Sequence, residues 1–453
     1  MRAYSSLPLD DDIVDRIMTF CPTFGTLQAT ILVSKAFYRV FQIHPKSITR
    51  AVAYNIVGPA LPQALRMIRY PYDEYETDDS HALDATAMAT ACPEEQAVTI
   101  ITAMEKIELQ EESKMVGTLE DIYSLTNKDR MSRTSLLTSE ESWRFRRAIY
   151  RIKLFCRLFS IQCYGNFEEL DDDEFDDDMI QRIRAQRMAI PNEYPADELL
   201  QLYSVVAFMK GIFADVLGEA ANSSSVLVDV LLATGPDGAL RAWEERSPDS
   251  LQDDHGFGLF ADNDNYKLFA GYFAIPFKNI WTARNITPPK DDDPPSKWIL
   301  DQVNGANDTC SQCAAPGGLK LFTPANWDRL DTDPLNLLKG NLRQNTTVTT
   351  PFTGLTAHLY DPPAIEAWIS ELFTLRQSPD FDGWEAEDSY CRECLTKFLE
   401  AHVWRWFLDT RLKAGWAPPE DCWYGWNCRT QTHKLGHAQT KNHLCVPTRG
   451  DRT

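Results

Sequence analysis

The chain has 453 residues, 43% of them hydrophobic and 11% aromatic, which excludes a disordered chain and leaves room for two or three domains or one large helical one. Its formal net charge of −21 excludes a whole-surface attraction to nucleic acid or anionic lipid. The charge is uneven, however: from Arg411 to Thr453 seven Lys/Arg stand against three acids, so the C-terminal tail is net +4.

Taken in order, the chain opens on SLPLDDDIVDRIMTFCPTFGTLQATILVSKAFYRVFQ, residues 6–42. Ile13, Val14, Ile17, Met18 and Cys21 have the spacing of one apolar helix stripe, and the aspartates before them suit the first turn of a helix. Pro22 ends that helix, and Thr26 offers a cap for a second through Leu27, Ile31 and Leu32. Ser34 precedes a third, carrying Phe37, Tyr38, Val40 and Phe41. Three helices this short bury little alone, so the unit packs on its own chain or lends an apolar face to a partner.

This stretch resembles the F-box. Leu7, Pro8, Ile13, Ile17, Leu27, Val33, Ser34 and Phe37 stand where that family's pattern wants them, with Phe37 in place of the more usual tryptophan. The continuation ITRAVAYNIVGPALPQALRMI is similar to F-box-like chains abundant in mushroom-forming fungi. The resemblance covers about a tenth of the chain. It implies docking onto a Skp-type adaptor of a cullin ubiquitin ligase through Leu7, Pro8, Ile13, Ile17, Leu27, Val33 and Phe37, with an unknown protein target held elsewhere.

Residues 71–84 read as a polar linker, and 85–130 as weakly patterned helix. From Thr138 an acidic first turn leads into Trp143, Ile149, Ile152, Phe155 and Phe159, a helix whose arginines should line its polar face. Residues 168–178 carry nine acids in eleven positions without the glycine turn of a calcium loop, and read as a solvated loop. Helices resume at 196–219 and 223–233, and PPKDDDPPSK (288–297) breaks the chain. The expected organisation is mainly α: a three-helix unit within 1–70, a helical domain over 85–287, a region at 298–410 with two C-x-x-C pairs, and a tail at 411–453. The last third is expected to be loop-rich and stabilised by zinc.

No basic-then-apolar leader occurs, and the best apolar run, residues 226–233, is short and broken by Asp229. An intracellular chain (nuclear or cytoplasmic) with no membrane partner is expected, and reduced thiols are then core residues or metal ligands. Seven of the eleven cysteines lie beyond residue 309. Cys310 and Cys313 sit in a loop of small residues, and Cys391 and Cys394 open a helix with the stripe Leu395, Phe398, Leu399, Val403 and Phe407. A loop pair and a helix-end pair commonly complete a tetrahedral structural zinc site, although 77 residues lie between them here.

A second cluster, Cys422, Cys428, His437 and His443, has the spacing C-x5-C-x8-H-x5-H, with His433 and Cys445 as possible substitutes. It resembles the PBZ-type finger, including Tyr424-Gly425 between the cysteines and Arg429 after the second. It departs from that finger in a longer gap before the first histidine and in Lys441 where an aromatic is usual. The resemblance implies a second structural zinc ion. It also implies a site for poly(ADP-ribose) or RNA on Tyr424, Arg429, Lys434 and Lys441. No metalloprotease, deaminase, phosphate-loop or nucleophile-elbow motif appears, so no catalytic residues and no enzyme are expected.

Overall fold

The structure is a computed structural model that describes residues 10–72, 85–94, 100–160, 177–218, 221, 225–251, 268–290, 293–330, 332–359, 362–375 and 379–450. Leu7, Pro8, most of the 71–84 linker and nearly all of the 168–178 acidic run lie outside them. The fold is mainly helical, with no strand among the described residues. The chain divides into two units, residues 1–123 with 137–301 and residues 124–136 with 302–453.

The first unit starts with α1 (Asp11–Thr19), α2 (Phe24–Leu32), α3 (Lys35–Ile43) and α4 (Pro45–Val57). Thr23 rather than Thr26 caps α2, its Oγ1 accepting from the Thr26 N–H at 3.0 Å, and the Ser34 side chain caps α3. The stripe expected on α1 is too wide for one core and splits. Val14, Met18 and Cys21 join Leu27, Val40, Ile48 and Val52 inside the bundle, while Ile13, Ile17 and Phe20 face outward, 48, 42 and 69% exposed.

Next come α5 (Leu61–Arg69), α6 (Ala85–Thr90), α7 (Ala103–Asn127), α8 (Ser139–Leu158), α9 (Asp177–Arg187) and α10 (Ala196–Leu217). The unit closes with α11 (Ser225–Ala233), α12 (Gly235–Glu245) and α13 (Ala274–Arg284). Asp177 and Asp178, expected in the acidic loop, belong to α9. By length and hydropathy α10 could cross a membrane. It instead buries Leu202, Val205, Met209 and Phe213 in this unit's core, as the central helix of a globular unit does.

Helix α8 packs against α5 and α10 and starts from a reciprocal capping box: Thr138 Oγ1 accepts from the Glu141 N–H, and Glu141 Oε2 accepts from the Thr138 N–H at 2.8 Å. Its cations correct the expectation of a polar outer face. Arg147, Arg151 and Lys153 are all buried. Arg151 reaches Glu94 and Glu198, each at 2.6 Å, and lies 3.9 Å from the centre of the Tyr194 ring. Arg147 reaches the same Glu198 at 2.6 Å, and Lys153 reaches Asp237 at 2.8 Å. The cations have gone inside because acids from four other segments, Glu94, Glu112, Glu198 and Asp237, meet them there.

The second unit contains α14 (Thr346–Thr356), α15 (Pro362–Thr374), α16 (Arg392–Lys413) and the short α17 (Leu435–Thr440). The α16 stripe read from the sequence, Leu395 to Phe407, is fully buried and meets Trp327, Phe352, Phe373, Phe381 and Trp384. Trp426 and Leu444 of the tail belong to this same core, and the Trp404 and Trp426 rings stand 4.8 Å apart. The 298–410 region and the 411–453 tail are therefore packed as one body, not as successive domains.

Candidate metal centres

Among the described residues, two groups of four side chains bring their ligand atoms within 4.8 Å of one another: Cys310, Cys313, Cys391 and Cys394, and Cys422, Cys428, His437 and His443. Each group could hold a metal ion.

In the first group, Cys310 N–H donates to Ala315 O (2.8 Å) and Ala314 N–H donates to Cys310 O (2.9 Å), which folds 310–315 into a knuckle. Ala314 takes φ 56°, the left-handed conformation that favours glycine. The knuckle is carried across to the start of α16 by backbone pairing. Phe322 and Tyr390 exchange N–H···O bonds of 2.8 and 3.0 Å, and Ser311 N–H donates to Ser389 O at 2.8 Å. Cys391 is the N-cap of α16, where its Sγ accepts from the Cys394 N–H. Buried Arg130 fastens both sides of the site, donating to Asp308 Oδ2 at 2.6 Å and Ser389 Oγ at 2.9 Å. Nothing in its sequence neighbourhood marks Arg130 for this, because its partners lie 178 and 259 residues away.

The donor spacing suits a tetrahedral ion. Metal–sulfur bonds of about 2.3 Å place tetrahedral sulfurs about 3.8 Å apart, and Cys313 Sγ and Cys391 Sγ are 3.7 Å apart. Burial pushes the Cys310 thiol up, but backbone N–H groups of Cys313, Cys391 and Gln312 outweigh it and bring it down to about 7. Burial takes Cys391 up to about 11, and burial with the neighbouring thiols raises Cys394 further. Four sulfurs in contact do not all ionise without a cation among them.

In the second group, His437 Nε2 lies 3.7 Å from Cys422 Sγ and 3.4 Å from Cys428 Sγ, again near tetrahedral edge lengths. His443 is 2% exposed, and neither ring nitrogen makes a hydrogen bond to another side chain. Burial, with His437 beside it, pulls its pKa down to about 4, so it presents a neutral ring with a free lone pair. A buried imidazole left unsatisfied would be costly, and a metal ion removes that cost. The loops are tied by Cys422 N–H to Asn442 O (2.8 Å) and by the Asn442 amide to Asp421 Oδ1 (2.7 Å). Gly425 is required between the cysteines: its φ is +43°, and a Cβ there would run into the carbonyl of Cys445.

The two substitutes are set aside by geometry. Cys445 gives its thiol to the carbonyls of Cys422 (3.5 Å) and Asn442 (3.4 Å), and burial raises its pKa to about 12. His433 is exposed and lies outside the cluster.

Among the residues that the F-box resemblance implies, Ile13, Ile17 and Val33 are exposed and Phe37 is half-buried against the bundle core. Leu27, 3% exposed, packs into the core of its own bundle. Of the residues implied for anion binding, Tyr424, Arg429 and Lys434 are exposed, whereas Lys441 is engaged with Glu420 at 2.5 Å. Compared with family models, curated proteins and solved structures, the chain matches none.

Proposed function

We propose that this chain is an F-box-type adaptor, whose N-terminal helices seat a Skp-type partner of a cullin ubiquitin ligase and whose second unit is held in shape by two structural zinc ions. The observation that carries the adaptor reading is the outward face of the first bundle. Ile13 and Ile17 on α1 and Phe20 just past its end are spaced i, i+4 and i+7, and Leu32 and Val33 at the end of α2 are 76 and 72% exposed. Large apolar side chains gathered on one small unit are the usual mark of a partner surface. The family resemblance supplies the partner's identity.

Zinc is the reading for both metal clusters because four thiolates, or two thiolates with two imidazoles, are its usual structural donor sets, and thiolates disfavour magnesium and calcium. Four protein donors fill a tetrahedral shell and leave no position for a reacting water, so both ions act on the fold and the chain has no proposed catalysis. The intracellular reading agrees with this, since a reducing compartment keeps the thiols available.

The test is co-purification of the full chain with a Skp-type adaptor, beside Ile13→Asp/Ile17→Asp. Both positions are exposed in the chain alone, so the double variant should keep its helical circular dichroism and lose the adaptor. An adaptor that fails to bind the unaltered chain, or that binds both equally, overturns this reading.

A second reading has one observation in its favour. Trp423 and Tyr424 are 55 and 48% exposed on the finger, and the Arg449 guanidinium lies 3.8 Å from the centre of a Trp423 ring. Exposed aromatics beside Arg429 and Lys434 suit stacking on the bases of RNA or of poly(ADP-ribose). Retention of the zinc-loaded protein on either polymer at low salt, lost in Tyr424→Ala, would support it. No retention would leave the adaptor reading alone.

A further inference from the structure

The second unit has an open cleft of about 290 Å³ where the end of α16 and the turn after it meet the finger. Asn345 and Thr347 line it at the start of α14, Arg411 at the end of α16, Trp416 in the turn after it, and Lys441 and His443 from the finger. These residues come from three separated stretches, so no local motif announces the cleft.

Arg411 is its distinctive member. The guanidinium lies 3.7 Å from the centre of the Trp416 ring and 5.6 Å from that of Phe407, which holds the fork in one plane. Its neighbour Lys413 is paired with Asp409 at 2.7 Å, but no carboxylate pairs with Arg411 among the described residues. Burial pulls the guanidinium below its ordinary range, and no acid offsets that. The second cation at the cleft, Lys441, is held only by Glu420, which is 75% exposed. A solvent-facing ion pair of that kind is weak and exchanges readily for a better anion.

We propose that this cleft binds a phosphate monoester of small-molecule size, with Arg411 as the forked donor, Lys441 as the second charge and Trp416 as the wall for the organic part. Two cations at one mouth suit a dianion better than a carboxylate, and a planar fork fits two phosphate oxygens at once. Gln439 lines the same space, and its side-chain amide can donate to a phosphate oxygen. The volume exceeds that of a bare phosphate and leaves room for a ring against Trp416. This site is distinct from the exposed Tyr424, Arg429 and Lys434 surface, none of which lines the cleft.

The experiment is calorimetric titration of the full-length protein with phenyl phosphate, inorganic phosphate and benzoate. Phenyl phosphate should bind saturably and more tightly than the other two. Arg411→Gln should weaken it about tenfold or more, the loss expected for a charged hydrogen-bond pair. Arg39→Gln, an exposed arginine paired with Asp11 in the first unit, should bind as the unaltered chain does. Metal content and melting temperature show whether Arg411→Gln stays folded. If it does not, Lys441→Gln carries the test, with a several-fold loss expected. No saturable binding at millimolar phenyl phosphate, or equal binding by a folded Arg411 or Lys441 variant, overturns the proposal.

Discussion

Cys313 Sγ lies 3.7 Å from Cys391 Sγ, although 77 residues separate the two in the chain. A contact of that range closes a large loop, and closing it costs chain entropy that local structure does not repay. The Phe322–Tyr390 pairing and the Ser311–Ser389 bond carry part of that cost. The sulfur cluster is placed to carry more once an ion joins its four donors.

The first prediction concerns the clamp beside that site. Arg130 holds Asp308 on one side and Ser389 on the other, two residues from Cys310 and Cys391 respectively. Arg130→Met should leave the ligands in place but loosen their alignment, weakening metal at this site by about tenfold, as supporting contacts commonly do. Competition with a chromophoric chelator should release one ion early and leave the other as in the unaltered protein.

Gly425→Ala should damage the other site selectively. The left-handed backbone alone costs about 1–2 kcal/mol for a residue with a Cβ, and this Cβ also meets the Cys445 carbonyl. The expected result is a lower melting temperature and early release of the ion held by Cys422, Cys428, His437 and His443. Release in the order of the unaltered protein would show that the turn is not what shapes this site.

Cys445→Ser and His433→Ala should each retain both ions. Cys445 already spends its thiol proton on two carbonyls, and His433 faces solvent. Loss of an equivalent from either variant would redraw the second ligand set.

In the first unit, Arg151→Met should destabilise by about 3 kcal/mol, because Glu94 loses its paired cation while Glu198 keeps only Arg147. The pH dependence has a fixed sign. Burial alone would raise the Glu94 pKa, but Arg151, Gln63 and Arg66 outweigh it and hold it below its ordinary 4.5. A depressed carboxylate stabilises the fold fully above its unfolded pKa and loses that contribution as pH falls through the folded value. Urea denaturation should therefore show unaltered protein and Glu94→Gln differing most above about pH 5 and converging in more acidic buffer.

Part of this architecture is legible in the sequence and part is not, for physical reasons. The helical class, the α16 stripe, each C-x-x-C pair and the Cys/His cluster of the tail follow from local spacing, since a helix face and a C-x-x-C turn are set by neighbours; that the two C-x-x-C pairs meet across 77 residues does not. The α1 stripe is legible as apolar but not as two faces, because only the rest of the bundle decides that Val14 goes inside and Ile13 out. The buried cations of α8 read as a polar face because their acids arrive from residues 94, 112, 198 and 237. Arg130 and the Arg411 cleft escape a sequence reading for the same reason. The shared core of the second unit is hidden as well, because Trp426, in a segment that reads as a separate finger, finds Trp404 on α16.

That two closed four-ligand metal sites hold the second unit is the central claim, and elemental analysis of the purified chain beside Cys310→Ser and His437→Ala tests it most directly. The prediction is two zinc ions per chain, with one lost in each variant and the remaining one still bound. A chain that carries no stoichiometric zinc, or variants that keep both ions, would contradict it.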